Sequence, residues 1–308
     1  MPLTSPKLNR SHNLPVSSQK WIAAGVIIAV AFLSVVAITR AQFLQNRRGE
    51  FQPAPPSGDT MVTNGLIVRY WIDEAESGTT PTTLEDDGHG TDMDLTITYA
   101  GTMVWTNSSS SMRGLHCESA SGDQRASYGA LVAGDKLYDQ LDNSITGTLE
   151  IVVSCNTFSS GGGRIFHLDD DTGGNGEFTM RCSSTSQPDN IQFFASLPNE
   201  KINGNIDAAS AERIVWHWVF DTSLADNADR VKCYTNGVEV ADADPAITQN
   251  EPLSFNVNET FYLLNRQSGS SYGRSMTGVL YYAAAYNIAF DSNQVTTNYN
   301  RLITDDDL

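Results

Sequence analysis

Basic residues are scarce in this chain. Its 308 residues include 19 Lys and Arg against 36 Asp and Glu, so the formal net charge at pH 7 is -17. Nucleic-acid binding depends on clustered Lys and Arg that neutralise phosphates, and this balance argues against a nucleic-acid partner. An acidic surface suits a soluble domain in salty or extracellular surroundings, or a surface that gathers cations.

Signatures of common catalytic sites are also missing. The chain has no Gly-x-Ser-x-Gly nucleophile elbow, and its five histidines follow no metalloprotease spacing. A retaining glycosidase needs two carboxylates about 5 Å apart, but no run carries them as Glu-x-Asp-x-x-Glu. The nearest pair, Glu74 and Glu76, stands at the end of an expected strand. The sequence therefore predicts a protein that is not an enzyme.

Sustained helical periodicity and internal repeats are absent as well, which argues against a largely helical fold and against a propeller. Beyond residue 65 the chain shows short alternating runs bounded by Gly, Asn, Asp and Ser. These runs are 65–72, 93–99, 146–155, 163–169, 176–182, 190–196, 213–221, 230–242, 260–266 and 278–290. They predict one all-β domain over 65–308, a large antiparallel sandwich or barrel.

Two turns within this domain carry their own signals. Asn236 and Gly237 supply the two positive-φ residues of a tight hairpin, so we expect a two-residue turn there. After the last apolar run the chain becomes polar, and we expect a turn and one short helical turn over 289–303.

The first sixty residues differ in charge from the rest. They carry six basic and two acidic residues, a net of +4, which leaves -21 on the remainder. Within them, 21–39 is an uncharged run of about nineteen residues, enough for one bilayer crossing. The predicted segments are a polar tail at 1–20, a transmembrane signal anchor at 21–40 and a flexible linker at 41–64.

Basic residues flank this run on both sides, so the positive-inside rule does not decide its orientation. We expect a signal anchor that exports the acidic C-terminal domain, to the outside of the cell or the periplasm. A signal peptide cleaved after Ala41 is the alternative, and the domain would then be secreted.

The four cysteines leave two interpretations open. Cys117, Cys155, Cys182 and Cys233 each fall in phase with an apolar alternation, which favours buried thiols that act as small hydrophobic groups. In an oxidising compartment, one or two disulfides are the alternative. Their spacings fit no zinc ribbon.

The run at 213–221 places His217 between Trp216 and Trp218. Alternation puts the tryptophans on one face of a strand and His217, with two valines, on the other. Because both faces are largely apolar, the pattern predicts a central strand buried on both sides. We therefore interpret His217 as a structural residue, and as a ligand contact only if that face forms a groove.

Two loops carry enough oxygen ligands for a hard cation such as calcium. In the first loop the metal candidates are Asp86, Asp87 and Asp92, with Asp94 close by. The second loop contains Asp169, Asp170, Asp171 and Asn175. The simpler interpretation, for both loops, is that they are solvated turns.

Four segments of this domain, taken in order, resemble a known family. They are GLIVRYWIDEAESGTTPTTLEDDGHGTD, TGTLEIVVSCN, WHWVFDTSLADNADRVKCYTNGVEV and SMTGVLYYAAAYNIAFDSNQV. Together they resemble the laminin G-like, concanavalin A-like jelly-roll domains over nearly all of 65–305. The chain departs from that pattern at 280–283, where the family often has an acidic pair, and at Arg213, where it has a tryptophan.

The resemblance implies a concanavalin A-like antiparallel β-sandwich, or jelly roll, which in this chain would follow the predicted membrane anchor. It implies a non-catalytic binding or adhesion module for a carbohydrate or a glycosylated surface, with calcium as a possible cofactor of such domains. Our ligand-binding candidates are Asp169, Asp170, Asp171, Asn175 and Tyr272. The alternatives are a protein–protein contact domain of a surface layer or viral particle, and a polysaccharide-active enzyme of the same fold.

Overall fold

The computed structural model describes the predicted domain and leaves 1–60 outside the described residues. Described are 61–72, 82–98, 103–105, 114–117, 123–157, 163–169, 178–183, 190–197, 200–207, 212–240, 250–255, 259–268, 271–272 and 274–304. All of these lie in one compact unit, Ser57–Leu308. The predicted anchor at 21–40 falls outside them. Within the described stretches, no helix is long and apolar enough to cross a membrane.

Strands dominate the described residues, and two α-helices accompany them. The strands are β1 (Leu66–Trp71), β2 (Thr83–Leu84), β3 (Leu95–Thr98), β4 (Met103–Trp105), β5 (Leu115–Cys117), β6 (Arg125–Ala130), β7 (Thr146–Thr157), β8 (Gly163–Asp169), β9 (Phe178–Ser183), β10 (Asn190–Leu197), β11 (Glu200–Asp207), β12 (Ile214–Asp221), β13 (Val231–Thr235), β14 (Val238–Glu239), β15 (Thr260–Leu263), β16 (Gln267–Ser268), β17 (Ser271–Tyr272) and β18 (Thr277–Tyr286). The helices are α1 (Lys136–Leu141) and α2 (Ser292–Thr304), and Asn227–Asp229 forms a 3-10 turn.

The strands form two antiparallel sheets and one small hairpin. Sheet A has the order β14-β13-β12-β7-β18-β5-β4, with β1 paired to β18. Sheet B has the order β11-β10-β9-β8-β15-β6-β3-β2, and β16 pairs with β17. The two sheets enclose one large apolar core, so the predicted all-β sandwich is confirmed. Assignment to the concanavalin A-like jelly rolls in particular stays a prediction.

Strand β12 has the predicted two-sided burial. Trp216 and Trp218 point into the core between the sheets, where the Trp218 ring stacks on Phe193 of sheet B at 5.2 Å between centroids. Val215 and Val219, on the other face, belong to a second apolar cluster. The two faces of β12 therefore pack into two separate apolar layers, one between the sheets and one outside sheet A.

Helix α2 covers the outer face of sheet A, where we expected only a short helical turn. Asp291 caps it: its Oδ1 accepts the N–H groups of Asn293 and Gln294, both at 2.9 Å, and Gln294 Oε1 accepts the Asp291 N–H at 2.9 Å. Val295 and Leu302 face the sheet and are fully buried. The helix is thus held by its cap and by the apolar face it covers.

The predicted tight hairpin is confirmed. Asn236 and Gly237 have φ values of 50° and 77°, as the two-residue turn between β13 and β14 requires. A Cβ on Gly237 would lie 2.8 Å from the Tyr299 ring of α2. Gly237 is therefore required for two reasons: it adopts the positive φ of the turn, and its lack of a side chain lets helix α2 approach closely.

Asn298 of α2 joins three parts of the fold. Its Oδ1 accepts the Val62 N–H at 2.8 Å, and its Nδ2 donates to Glu150 of β7 at 2.7 Å. Met61 and Val62 also pack against the apolar cluster under the helix. Both residues fall in the predicted linker, so the folded part of the chain begins before Gly65.

Glu150 and His217 lie side by side under this helix. They are opposite each other in the register of β7 and β12, and their side chains have no exposed surface. His217 Nε2 is 3.9 Å from Glu150 Oε2, and neither ring nitrogen has a hydrogen-bond partner among the described residues. Burial raises the pKa of Glu150 to about 7, against hydrogen bonds from Asn298 and Tyr286, and lowers the pKa of His217 to about 3.

This setting gives both groups a structural role. Each neutral form is favoured by burial, because charge is costly away from water. The face on which His217 lies is closed by α2, so the groove that would make it a ligand contact is filled at this point. Glu150 and His217 therefore affect the stability of the folded domain and the way in which that stability changes with pH.

One disulfide connects the sheets. Cys155 of β7 is bonded to Cys182 of β9, and both sulfurs lie in the core. The interpretation as buried thiols is wrong for these two residues, because alternation places both on the inner faces of facing sheets. Cys117 and Cys233 are buried thiols outside any disulfide, as that interpretation predicts.

Replacing Cys155 and Cys182 together by Ala should lower the free energy of unfolding by about 3 to 4 kcal/mol. The bridge spans a sequence separation of 27 and restricts the unfolded chain. Urea denaturation measures the loss. The matched control, Cys117→Ala with Cys233→Ala, removes two buried sulfurs without a bridge. An unfolding midpoint of the unmodified chain that reductant leaves unchanged would contradict the bridge.

Glu150→Gln should raise the free energy of unfolding above pH 7. Below pH 4.5, where Glu150 is protonated in both the folded and the unfolded chain, it should not produce this gain. Because the folded-state pKa of Glu150 is raised, its contribution to stability is intact below pH 4.5 and is lost as the pH rises through about 7. Glutamine keeps the oxygen that accepts from Asn298 and has no proton to lose. The expected gain above pH 7 is about 3 kcal/mol, measured by urea denaturation across the pH range.

His217→Gln is the matched control, because the pKa of His217 is shifted in the opposite direction. Its folded-state pKa lies below 6.5, so stability is lost as the pH falls from 6.5 towards 3. This variant should flatten the acid side of the stability profile. Equal gains for Glu150→Gln at both ends of the pH range would show that Glu150 does not titrate as described.

Candidate functional site

The first aspartate-rich loop is organised around Asp86. Its carboxylate accepts the backbone N–H groups of Arg69 at 3.0 Å, Gly88 at 2.8 Å and Met93 at 3.0 Å. Lys136 of α1 lies with its ammonium 2.5 Å from the same carboxylate, and both side chains are buried. The oxygens of Asp86 therefore face hydrogen-bond donors and a positive charge, and the residue fastens the loop to β1 and α1.

The other acidic residues of this loop make different contacts. Asp87 Oδ2 pairs with the Arg69 guanidinium at 2.5 Å and accepts from Trp71 Nε1 at 3.3 Å. Asp94 Oδ1 accepts the Asp86 N–H at 2.9 Å, and Asp92 is exposed. Over the described ranges, no group of three His, Cys, Asp or Glu is placed to hold a metal ion. Calcium binding here stays a prediction that these contacts do not favour.

The second candidate set is only partly described. Asp170, Asp171 and Asn175 lie outside the described residues. Asp169 ends β8 opposite Thr260 of β15, and Tyr272 lies in β17 opposite Gln267. β15 runs antiparallel to β8, and the chain then enters the β16–β17 hairpin next to the Gly163 end of β8. Asp169 and Tyr272 therefore lie at opposite ends of β8.

Four arginines gather at the Gly163 end of sheet B. Arg164, Arg181, Arg266 and Arg274 are termed the arginine cluster. Arg164 of β8 and Arg181 of β9 are direct cross-strand partners, which places their Cβ atoms about 5 Å apart. Met180 and Cys182 point into the core, so Arg181 and its partner lie on the outer face of sheet B. Arg266 and Arg274 flank the β16–β17 hairpin that contains Tyr272.

A network of main-chain hydrogen bonds holds these segments together. The Arg164 N–H donates to the Arg274 carbonyl oxygen at 2.8 Å. Oδ1 of Asn265 accepts the N–H groups of both Arg266 and Arg274, at 2.8 and 3.1 Å. Asn265 Nδ2 donates to the Gln124 carbonyl oxygen at 2.9 Å. One buried amide thus fixes the main chain at two of the four arginines.

The cluster combines burial with repulsion between like charges. Arg164 and Arg266 are 1% and 6% exposed, whereas Arg181 and Arg274 are partly exposed. Burial and, to a smaller extent, the charges of Arg266 and Arg274 together lower the pKa of Arg181 to about 10. The cluster therefore brings four basic side chains together at one end of sheet B in a strongly acidic protein.

Inspection of the sequence missed this site, although part of its signal was present. Arg181 occupies the polar position between Met180 and Cys182 in an alternating run, which marks it as outward-facing. The register that sets Arg164 against it, and the hairpin that returns Arg274, are long-range features with no local signature. Arg164 and Arg181 are far in sequence from Arg266 and Arg274, and the two pairs meet only in the folded sheet.

Next to the cluster, the outer face of sheet B continues with polar and aromatic groups. His167 Nδ1 lies 2.7 Å from Thr179 Oγ1, and the His167 ring stacks on Tyr262 with centroids 6.4 Å apart. These three side chains are buried. Arg181 and Arg274 are partly exposed charged residues of this neighbourhood, among the residues whose burial is described.

Comparison with known proteins identifies the fold and no family. No family model matches the chain, and no curated protein sequence matches it. The binding domain of botulinum neurotoxin DC in complex with SialylT is similar with a TM-score of 0.53 and 11% identity, over 78% of this chain and 52% of that one. The same binding domain in complex with rat synaptotagmin II gives 0.52, with 11% identity, over 77% and 52%.

Domain 4 of AbnA, a GH43 extracellular arabinanase from Geobacillus stearothermophilus, in complex with arabinotriose, is similar with a TM-score of 0.51. Its identity is 14%, over 76% of this chain and 98% of that one. A Trypanosoma rangeli sialidase gives 0.50 at 11% identity, and this chain spans 35% of its length. At these identities the matches establish a shared β-sandwich fold.

Proposed function

We propose that this chain is a non-catalytic carbohydrate-binding module of the laminin G-like jelly-roll type. The observation that carries the proposal is the arginine cluster, where Arg181 and Arg274 present guanidinium groups at the rim of a β-sandwich. Guanidinium groups offer several N–H donors in a fixed plane, a geometry suited to the oxygen atoms of sugars. The resemblance to laminin G-like domains also leads us to expect a ligand at the rim of the β-sandwich.

The structural neighbours support a carbohydrate as the ligand class. One neighbour, an arabinanase domain, is covered over 98% of its length and binds arabinotriose. Another is a toxin binding domain in complex with SialylT. Both are sandwiches of the same kind, although a shared fold is an associational argument and does not transfer a site.

A protein partner is the second candidate. The same toxin binding domain forms a complex with rat synaptotagmin II, so this fold also supports protein recognition. In this chain the accessible part of the arginine cluster is small and charged. Stable protein interfaces usually need a larger surface with an apolar centre, which makes a sugar the better match.

We further propose that residues 21–40 anchor the domain to a membrane and that the domain is exported, or secreted after cleavage at Ala41. The Cys155–Cys182 disulfide supports an oxidising compartment. Calcium remains a proposed cofactor, with Asp169, Asp170, Asp171 and Asn175 as candidate oxygen ligands.

A glycan array probed with the purified full-length chain tests the proposal. We expect saturable binding to a defined glycan class, with no release of new reducing ends from bound polysaccharides. The same array with EDTA tests calcium, and a heat-unfolded sample controls for non-specific adhesion. Self-association without glycan binding would favour the protein-contact alternative, and release of reducing ends would favour an enzyme.

A further inference from the structure

We infer that strand β11, on the side that faces away from β10, is an interaction surface for a second copy of this chain. The two β11 strands pair antiparallel about a two-fold axis at Gly204 and join two copies of sheet B into one continuous sheet. This inference goes beyond the proposed carbohydrate-binding function and does not depend on it.

Strand β11 differs in length from the other strands that end the two sheets. It has eight residues, each with a partner in β10, and it is the last strand of sheet B. Strands β2, β4 and β14, at the remaining ends of the two sheets, have only two or three residues. Within the described part of the chain, no strand pairs with the outer side of β11, which leaves a long edge available for pairing.

The edge of β1 shows how this fold covers a longer strand. The Arg69 N–H donates to the Asp86 carboxylate at 3.0 Å, and the Arg69 carbonyl oxygen accepts the Asp87 N–H at 2.8 Å. The first aspartate-rich loop therefore occupies the main-chain groups of β1 that point away from β18. Proline is another means of protecting an edge, and β11 contains none.

The sequence of β11 is symmetric about its central glycine. Residues 202–206 read INGNI, the same in both directions, and Lys201 and Asp207 flank them with opposite charges. In an antiparallel pair centred on Gly204, the residues that oppose each other lie equally far from this centre. Isoleucine then opposes isoleucine, asparagine opposes asparagine, and each Lys201 opposes Asp207 of the second copy. Opposite charges therefore meet at both ends of the pair.

The position of this centre also suits a continuous sandwich. Residues directly opposite each other in a sheet share a face, so a two-fold axis perpendicular to the sheet relates one residue to its own copy. Register places Ile202, Gly204 and Ile206 on the same face as Ile191 and Phe193, and these two partners in β10 are buried in the core. The charged residues at the two ends of the symmetric segment then belong to the outer face.

Self-complementarity favours a second copy over an unrelated partner. Any extended peptide can bond to an open edge through its main chain, but such binding does not need a symmetric edge strand. If the centre moved by one residue, to Asn203, Lys201 would oppose Asn205 and Ile202 would oppose Gly204. The register centred on Gly204 matches every position from 201 to 207, as a two-fold symmetric interface requires.

The experiment uses charge reversal at the two ends of the symmetric segment. Light scattering measures the protein mass of the full-length chain against its concentration, in a mild detergent because 21–39 is uncharged and apolar. The variants are Lys201→Asp and Asp207→Lys, each of which sets like charges opposite one another at both ends of the pair. The control variant, Glu239→Lys, makes the same change of charge on β14, the edge strand of sheet A.

The unmodified chain should form a dimer, with twice the mass of one chain. Each charge variant alone should weaken the dimer about tenfold or more, because like charges directly opposite each other are destabilising. An equimolar mixture of the two variants should restore it, since a mixed pair again sets opposite charges against each other at both ends. The control variant should dimerise like the unmodified chain.

Gly204→Cys provides a second measurement if a charge variant does not fold. Residue 204 is directly opposite its own copy, at a Cα separation of about 4.5 to 5.5 Å that suits a disulfide. With oxidant this variant should run as a covalent dimer on a non-reducing gel. Asn203→Cys should not, because residue 203 is opposite Asn205 of the second copy.

The possible results separate the parts of this inference. A chain that stays monomeric at about 100 μM, or a dimer that neither charge variant weakens, would overturn the pairing of β11. A mixture that fails to restore the dimer would overturn the register, and loss of the dimer in the control variant would overturn the choice of edge. The glycan array tests the proposed function separately, so failure of one leaves the other standing.

Discussion

Burial on both faces of sheet A is the constraint on which the rest of the structure depends. β12 is buried along almost its whole length, with tryptophans on the inner face and valines and His217 on the outer one. The inner face needs sheet B as a partner, and the outer face needs a second cover. Helix α2 supplies that cover, and the last part of the chain therefore has a packing role.

Closure of sheet A also removes the centre of its outer face from the surface available for the proposed recognition. Its central outer face contains Glu150, His217 and two tyrosines, which would suit a polar binding groove if they were open to solvent. Instead they lie under the helix, and their ionisable groups affect stability. The accessible charged groups of the arginine cluster are on the other sheet, at the ends of strands whose register brings distant arginines together. In the proposed function, packing and recognition would therefore use different sheets.

Much of the fold could be predicted from the sequence, because alternation is local. The run at 163–169 matches β8, and the Asn236-Gly237 turn forms as predicted. Only a short helical turn was predicted where helix α2 lies, because Thr and Asn are weak helix formers, although Val295, Asn298, Tyr299 and Leu302 follow a helical period. A disulfide was an open alternative, but neither the pairing of Cys155 with Cys182 nor the arginine cluster could be predicted, because both depend on which strands face or pair with one another.

Asn298 gives the domain a mechanical property. Its side chain binds the Val62 N–H at the point where the chain enters the domain, and also Glu150 in the middle of sheet A. Tension that arrives through the residues before Met61 is therefore passed to α2 and to the centre of the sheet, and is not confined to the first strand. If the chain is tethered at its N-terminus, a force applied by a bound ligand would act on the side-chain amide of Asn298, where the first and last segments of the fold meet.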